Sequence, residues 1–244
     1  MKVLVLNGSA KKKKSRSYKL ACAFIEGLKE NESFGDMSID DYFLSEKKIS
    51  ECKECYYCWS SENGKCIIDD DMTELIEKYI AADLVIWSFP LIFFGFPCSL
   101  KKFIDRLLPL YSAIVGKLQD DWYVHLHRYE KVNERREVFI STCGFPAKTH
   151  NYESIDEYLN IMFYGRTDKI FCSEGSLFNE ERFKKLVDRY IYTVKMAGKR
   201  YSLENGLDKK SIEQLDKQII MPDLYIEESN KNILWLSRND KAPL

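Results

Sequence analysis

The sequence predicts an α/β domain with a five-stranded parallel sheet, doubly wound so that helices cover both faces. Three observations carry this expectation. The strand-like segments are continuous apolar runs rather than alternating ones, as strands buried on both faces require. They alternate with segments of helical period in the order β-α-β-α-β-α-β-α-β-α. Of the 244 residues, 45% are apolar and 14% aromatic, enough to fill a core on each side of such a sheet.

The elements follow in order. "KVLVLNG" (2–8) is a buried strand closed by Asn-Gly. In "SRSYKLACAFIEGLKE" (15–30), Leu20, Ala21, Phe24, Ile25 and Leu28 recur at helical spacing. "MSIDDYFL" (37–44) reads as the second strand. "DDDMTELIEKYIAA" (69–82) starts with acidic residues, which the positive end of a helix dipole favours. "DLVIWSFP" (83–90) is the third strand. "PCSLKKFIDRLLPLY" (97–111) opens with Pro97 and sets Leu100, Phe103, Ile104 and Leu107 on one helical face. "REVFISTCG" (136–144) is a fourth strand, "NYESIDEYLNIMFYG" (151–165) a helix ending at Gly165, and "DKIFCSEGS" (168–176) the fifth strand. Two amphipathic helices follow, in 179–206 and 208–219, and the last segment, 219–240, shows no clear period. The organisation expected is one domain over 1–205, with a cysteine-rich segment at 50–66 and an insertion at about 110–135, followed by a C-terminal extension over 206–244 that packs on the core or on a partner subunit.

Bulk properties narrow the function classes. A net charge of −1 sets up no global field toward nucleic acid or membrane. "MKVLVLNGSA" turns polar too soon for a secretory leader. The longest uncharged run, 84–100, is short for a membrane span and is interrupted by two prolines and a glycine. The expectation is a cytoplasmic protein, in which clustered cysteines serve as metal ligands or redox groups rather than disulfides. No Ser-His-Asp set or carboxylate pair is placed for hydrolysis.

Three loops leave strand ends where a doubly wound sheet binds ligands. The first, "NGSAKKKKSRS", has neither the G-x-G-x-x-G turn nor a Walker A motif. It offers Gly8, Ser9, Ser15 and Ser17, with four lysines and Arg16, just before a helix, which suits a phosphate monoester; a solvated basic loop is the plain alternative. The second, "SFPLIFFGFPCS", concentrates apolar groups that suit a flat aromatic ligand, or else core packing or an oligomer interface. The third, "STCGFPAKTHN", brings small residues and free amides toward the same place. Together they describe a phosphate at one end and a planar ring at the other, which is flavin mononucleotide (FMN).

The order "LNGSA…S-R-S", then "C…C…C…GKC…DDDM", then "PLIFFGFPxxLKxFIDR", then "TCGFP" resembles the NAD(P)H-dependent FMN reductase superfamily. It is most similar to the branch containing the multimeric-flavodoxin and iron–sulfur flavoprotein families, over roughly residues 1–175, and the "LKxFIDR" block is the most specific part. The resemblance implies a flavodoxin-like three-layer sandwich with strand order 2-1-3-4-5. It implies FMN held by Ser9, Ser15 and Ser17 at the phosphate, by Pro90, Leu91, Ile92, Phe93 and Gly95 along the ring, and by Thr142, Cys143 and Gly144 at the ring edge. Two departures stand out: Phe89 replaces a small residue, and Ile92 a frequent tyrosine.

Cys52, Cys55, Cys58 and Cys66 form C-x2-C-x2-C-x7-C. Iron–sulfur flavoproteins hold a [4Fe–4S] cluster with a compact motif of this kind, so the resemblance makes these four its candidate ligands. A zinc site is a further alternative, though it usually shows two separated pairs. Flavin-only relatives keep a similar segment, so cysteines that pack or shape a subunit contact remain an alternative, as does a redox disulfide. Cys22 reads as a core residue, and Cys98 and Cys172 are weak signals. His125 and His127 share a side only if "HLH" is extended.

The functional expectation is an FMN-dependent oxidoreductase that takes hydride from NAD(P)H and passes electrons to a quinone, a flavin or an iron–sulfur acceptor. The alternatives are a flavodoxin-type electron carrier, against which the near-neutral charge argues, or a redox-sensing interaction protein. The family resemblance implies a homodimer or homotetramer.

Overall fold

The computed structural model describes residues 1–61, 64–119 and 121–238, with only the helical backbone over 232–238. Glu62 and Asn63 of the cysteine-rich segment, Asp120 of the insertion and residues 239–244 of the extension lie outside the described residues.

The strands β1 (Lys2–Asn7), β2 (Ser38–Phe43), β3 (Leu84–Pro90), β6 (Glu137–Thr142) and β7 (Thr167–Cys172) form one parallel sheet in the order β2-β1-β3-β6-β7. This is the expected 2-1-3-4-5 order. The higher numbers arise because the insertion contributes two strands of its own, β4 (Tyr111–Gln119) and β5 (Trp122–His127), paired as an antiparallel hairpin. The sequence predicts an insertion at this place and assigns it no strands. The hairpin carries apolar residues on both faces, so it lacks the alternation that announces a half-buried strand.

Continuous apolar strands do bury both faces. In β1, Val3 and Val5 enter a cluster with Phe24 and Leu28 of helix α1 (Arg16–Lys29) and Val194 of α7 (Lys184–Lys199). Leu4 and Leu6 enter the opposite cluster, with Leu75 of α3 (Met72–Ala81), Phe103 of α4 (Cys98–Asp105) and Leu159 of α6 (Glu153–Phe163). Helices α1 and α7 meet closely through two glycines. A Cβ at Gly27 would lie 1.9 Å from the Lys195 carbonyl oxygen, and one at Gly198 2.1 Å from that of Phe24.

One charged group sits deep beside the sheet. Glu137, which opens β6, accepts from Trp87 Nε1 at 2.6 Å, from Arg135 at 2.7 Å and from the Tyr79 hydroxyl, and is thereby satisfied. Short helices α2 (Tyr57–Ser60) and α5 (Glu130–Glu134) pack against the hairpin, α2 on β4 and α5 on β5. Helix α7 stops at Lys199, well short of the expected end. Beyond it, α8 (Lys209–Leu215) buries Leu215 in the α1–α7 cluster. The segment without a clear period forms α9 (Pro222–Arg238), whose Tyr225 packs with Leu177 and Val187. No helix among the described residues is long and apolar enough to cross a membrane.

Candidate functional site

The carboxyl ends of β1, β3 and β6 are neighbours in the sheet, and the loops that leave them form one rim. In the first loop the Ser9 N–H donates to Asn7 Oδ1 at 2.7 Å, and the Lys11 N–H to Ser9 Oγ at 3.2 Å. Ser9, Ser15 and Ser17 are all buried. Ser15 occupies the N-cap of α1 without capping it: its hydroxyl shares a 2.8 Å hydrogen bond with Ser17 Oγ. The first amides of the helix keep their donors, and its positive dipole end is unspent. Arg16 is half-buried beside them; burial lowers its pKa, and no carboxylate pairs with it among the described residues. The lysine run differs. Lys11 to Lys14 are exposed, and Lys12 pairs with Glu46 at 2.6 Å.

The second loop turns tightly. Ile92 and Gly95 exchange hydrogen bonds of 3.0 and 2.9 Å around Phe93 and Phe94, whose φ values of 47° and 61° are both left-handed. This is the geometry of a mirror-image hairpin turn, which glycine or asparagine adopts more readily. It leaves Phe93 95% exposed and lets Phe94 stack on Phe145 of the third loop at 5.9 Å. Ser154 Oγ fixes the turn by donating to the Phe94 carbonyl at 2.7 Å. Phe89, the departure from the family pattern, is buried and packs on Phe96 at 5.0 Å, so it belongs to the core below the loop.

Backbone bonds tie the three loops together. The Gly8 N–H donates to the Ser88 carbonyl at 2.8 Å, Leu91 to Thr142 at 2.9 Å, and Cys143 to Cys172 at 3.0 Å. Thr142 and Cys143 are buried, and burial pushes the Cys143 thiol up. A Cβ at Gly144 would meet nothing within 4 Å, so the rim is open there. Beneath the rim, Asn7 and Ser88 face each other across β1 and β3, and Asn7 Nδ2 and Ser88 Oγ are buried without a hydrogen-bond partner. Unsatisfied buried groups cost about 1–3 kcal/mol each, and two together fit a polar ligand arriving at this end. Sequence reasoning missed Asn7 and Ser88, and had Arg16 only as one of the basic residues of the first loop. "LNG" and "SRS" were in view, but burial without a partner has no signature in a sequence.

The four cysteines converge. Cys52, Cys55, Cys58 and Cys66 all line one small cavity of about 20 Å3, with Arg106 at its wall. Glu54, Tyr56 and Gly64 take left-handed φ values of 53°, 52° and 61°, which coil the segment. Burial pushes the Cys58 thiol up, and the neighbouring thiols of Cys66, Cys52 and Cys55 push the same way. A bound cation would reverse that preference. No group of three His, Cys, Asp or Glu side chains among the described residues is placed to hold a single metal ion. One ion needs every ligand at a bond length of about 2.3 Å from one point, whereas a cubane gives each thiolate its own iron. The donor set fits such a cluster, and the cavity would have to open to admit it.

The segment is held from outside. Arg106, at the end of the "LKxFIDR" block, is buried and donates to the Ser50 carbonyl at 2.9 Å and to both oxygens of Asp70 at 2.8 and 3.0 Å. Burial opposes ionisation of Asp70, but hydrogen bonds from Arg106 and from the Ser50 and Met72 amides outweigh it and hold the carboxyl below its ordinary value. Arg128 at the foot of the hairpin donates to the Cys58 carbonyl at 3.3 Å. β5 is extended, so His125 and His127 do share a side: His125 lies on Trp59 at 4.4 Å, and His127 on Tyr111 at 4.3 Å.

Residues 1–165 match a family of flavodoxin-like fold, and the chain belongs to it. Within that class, it is 34% identical over 106 residues to an iron–sulfur flavoprotein of Methanosarcina thermophila, a match covering 43% of this chain and 52% of that protein. The chain thus spans about half the length of that relative. An FMN-dependent NADH-azoreductase from Bacillus anthracis str. Ames Ancestor, solved in complex with FMN, is similar with a TM-score of 0.57 at 17% identity, over 82% of this chain and 98% of that one. An NAD(P)H:quinone oxidoreductase from Methanothermobacter marburgensis gives a TM-score of 0.57 at 20% identity, over 82% and 98%. At these identities the structural likeness speaks to the fold.

Proposed function

We propose that the chain binds FMN across the three strand-end loops and acts as an NAD(P)H-dependent oxidoreductase. The observation that carries this reading is the uncapped start of α1, with three buried serines, set beside an aromatic-tipped loop on the neighbouring strand. β1 and β6 are separated by one strand, so the rim spans roughly 10 Å, room for a phosphate at one end and a ring at the other.

Ser9, Ser15, Ser17 and the first amides of α1 would hold the phosphate, with Arg16 balancing its charge. Pro90, Leu91, Ile92, Phe93 and Gly95 would line the ring. The backbone of Thr142, Cys143 and Gly144 would meet its edge, since the Cys143 side chain is turned into the core. FMN, when bound, supplies the exchange between two-electron and one-electron chemistry, and the protein supplies position and surroundings. Phe93, Phe94 and Phe145 would flank the nicotinamide of NAD(P)H and exclude water from it. The acceptor would be a quinone, a flavin or an iron–sulfur centre. The names of the relatives, FMN-dependent and NAD(P)H-dependent reductases among them, support the reading.

Cys52, Cys55, Cys58 and Cys66 would hold a [4Fe–4S] cluster, which the name of the Methanosarcina relative supports. The reading takes the protein to be cytoplasmic. It also takes it to be a homodimer or homotetramer, for which the exposed apolar side chains Ile114, Val115 and Leu118 of the hairpin offer a surface.

Protein purified without oxygen should show a flavin spectrum over a broad iron–sulfur absorbance, with about four irons and four labile sulfides per chain. Flavin without iron would leave the reductase standing and remove the cluster. Ser9→Asp should abolish FMN uptake by placing a negative charge beside the phosphate, while Ser9→Ala should weaken it about tenfold, the value of one hydrogen bond to a charged group. Unchanged FMN affinity in Ser9→Asp would remove the phosphate loop from the site.

A further inference from the structure

We propose that the chain carries a second binding site, separate from the strand-end rim, for a neutral, planar conjugated molecule. It is the cavity of about 1040 Å3 between the β4–β5 hairpin, the cysteine segment and helices α4 and α6. The volume lies at the upper end of the range for small-molecule pockets. The proposal goes beyond the flavin reading and stands whether or not FMN binds.

The walls are aromatic. The imidazole of His125 lies on the indole of Trp59 at 4.4 Å, and the indole Nε1 anchors that pair by donating to the Leu108 carbonyl at 3.2 Å. Tyr158 of α6, also in the lining, is held edge-on against Phe96 at 5.2 Å, with Met162 one turn further along the same helix. Rings held by such contacts lose little freedom when a flat molecule packs against them, and a thioether is a favourable neighbour for a ring.

The polar groups specify the rest. His125 Nδ1 is buried without a hydrogen-bond partner, so a turn of the imidazole toward the cavity would let a ligand carbonyl or hydroxyl satisfy it. The lining cations are already paired: Lys101 with Asp105 at 2.5 Å, and Lys102 with Glu51 at 3.3 Å. Glu54 adds a further carboxylate. A phosphate or carboxylate on the ligand would find no free cation, which separates this cavity from the serine-lined, arginine-flanked start of α1. The fitting class is an uncharged, planar conjugated ring with a carbonyl as hydrogen-bond acceptor, such as a quinone.

The test titrates duroquinone, whose fully methylated ring blocks addition by Cys52 and Cys98, into the full chain with and without FMN. Quenching of tryptophan fluorescence reports occupancy, since Trp59 and Trp122 both line the cavity. Saturable quenching with the same affinity in both forms is expected. His125→Phe, which keeps the ring and removes the hydrogen bond, should weaken it about fivefold. Ile161→Arg, at an exposed α6 position on the rim of the cavity, should weaken it at least tenfold while leaving thermal unfolding and FMN uptake unchanged. Quenching that never saturates, or that ignores both substitutions, overturns the proposal. So does competition with FMN, which would place the quinone at the strand-end rim. Binding that appears only on dilution to the monomer also overturns it, because a second copy of the chain would then fill the cavity.

Discussion

The strand-end rim and the cysteine segment lie in the same domain but are held in opposite ways. Each loop of the rim leaves a strand, and main-chain hydrogen bonds join the loops to one another, from Gly8 to Ser88, Leu91 to Thr142 and Cys143 to Cys172. The cysteine segment is held largely by side chains, chiefly Arg106 on both its ends, Arg128 on Cys58 and Trp59 on Leu108. A rim built on the sheet ladder tolerates the loss of any one side chain. A segment clamped by two arginines does not.

The strongest test of that contrast is Arg106→Ala. The substitution would strand the buried Asp70 carboxylate and release both ends of the cysteine segment at once. Breaking one side of a buried pair costs about 3–5 kcal/mol, and each kcal/mol lowers Tm by about 2–4 °C in a chain of this size. The expected outcome is a Tm lower by about 10 °C and fast reaction of Cys58 with a thiol reagent, with FMN affinity within about twofold of the parent. Arg106→Lys should recover part of the stability, since an ammonium cannot make the forked contact. Loss of FMN in step with thiol exposure would break the comparison and make the two regions one cooperative unit.

The same contrast explains what the sequence could reveal. The strands, most of the helices and the three loops were legible because buried parallel strands are long apolar runs, and their loops have a fixed place in such a topology; the sheet order followed from the family resemblance. The cysteines were legible as a set because their spacing is local. The Arg106–Asp70 clamp was not, although both residues sat inside quoted motifs, because pairing across 36 positions leaves no periodic trace. The β4–β5 hairpin failed for a different reason: apolar side chains such as Ile114, Val115 and Leu126 stand exposed, so the polar alternation of a surface strand is missing. Helix α9 failed because its short apolar runs are broken by polar residues out of phase.

Acid should loosen the hairpin side of the molecule before the rim. Burial, with help from Arg166 and Arg135, lowers the His127 pKa to about 4 from 6.5. The unfolded chain therefore takes up this proton first as pH falls. Stability from the neutral imidazole is complete above about pH 6.5 and is lost as pH drops through about 4. For a partly exposed ring the loss is on the order of 1 kcal/mol. His127→Phe should flatten the stability profile over that window. Asp70, whose carboxyl is held low, gives way only at lower pH. An unchanged pH profile in His127→Phe would shift the acid sensitivity to another group.

The smallest expected effect is on the rim itself. Phe93 sits at the tip of the second loop, almost wholly exposed and in a left-handed conformation that costs a phenylalanine roughly 1 kcal/mol. Asparagine adopts that conformation more readily and gives up no buried contact, so Phe93→Asn should raise stability by a few tenths of a kcal/mol up to about 1. A residue that strains the fold and meets only the edge of the neighbouring Phe94 ring is more economically explained by a ligand, as strain concentrates at functional sites. Phe93→Asn should therefore weaken FMN or nicotinamide binding several-fold while the protein melts slightly higher. A gain in stability with unchanged binding of both would remove Phe93 from the site and leave its strain without a ligand to account for it.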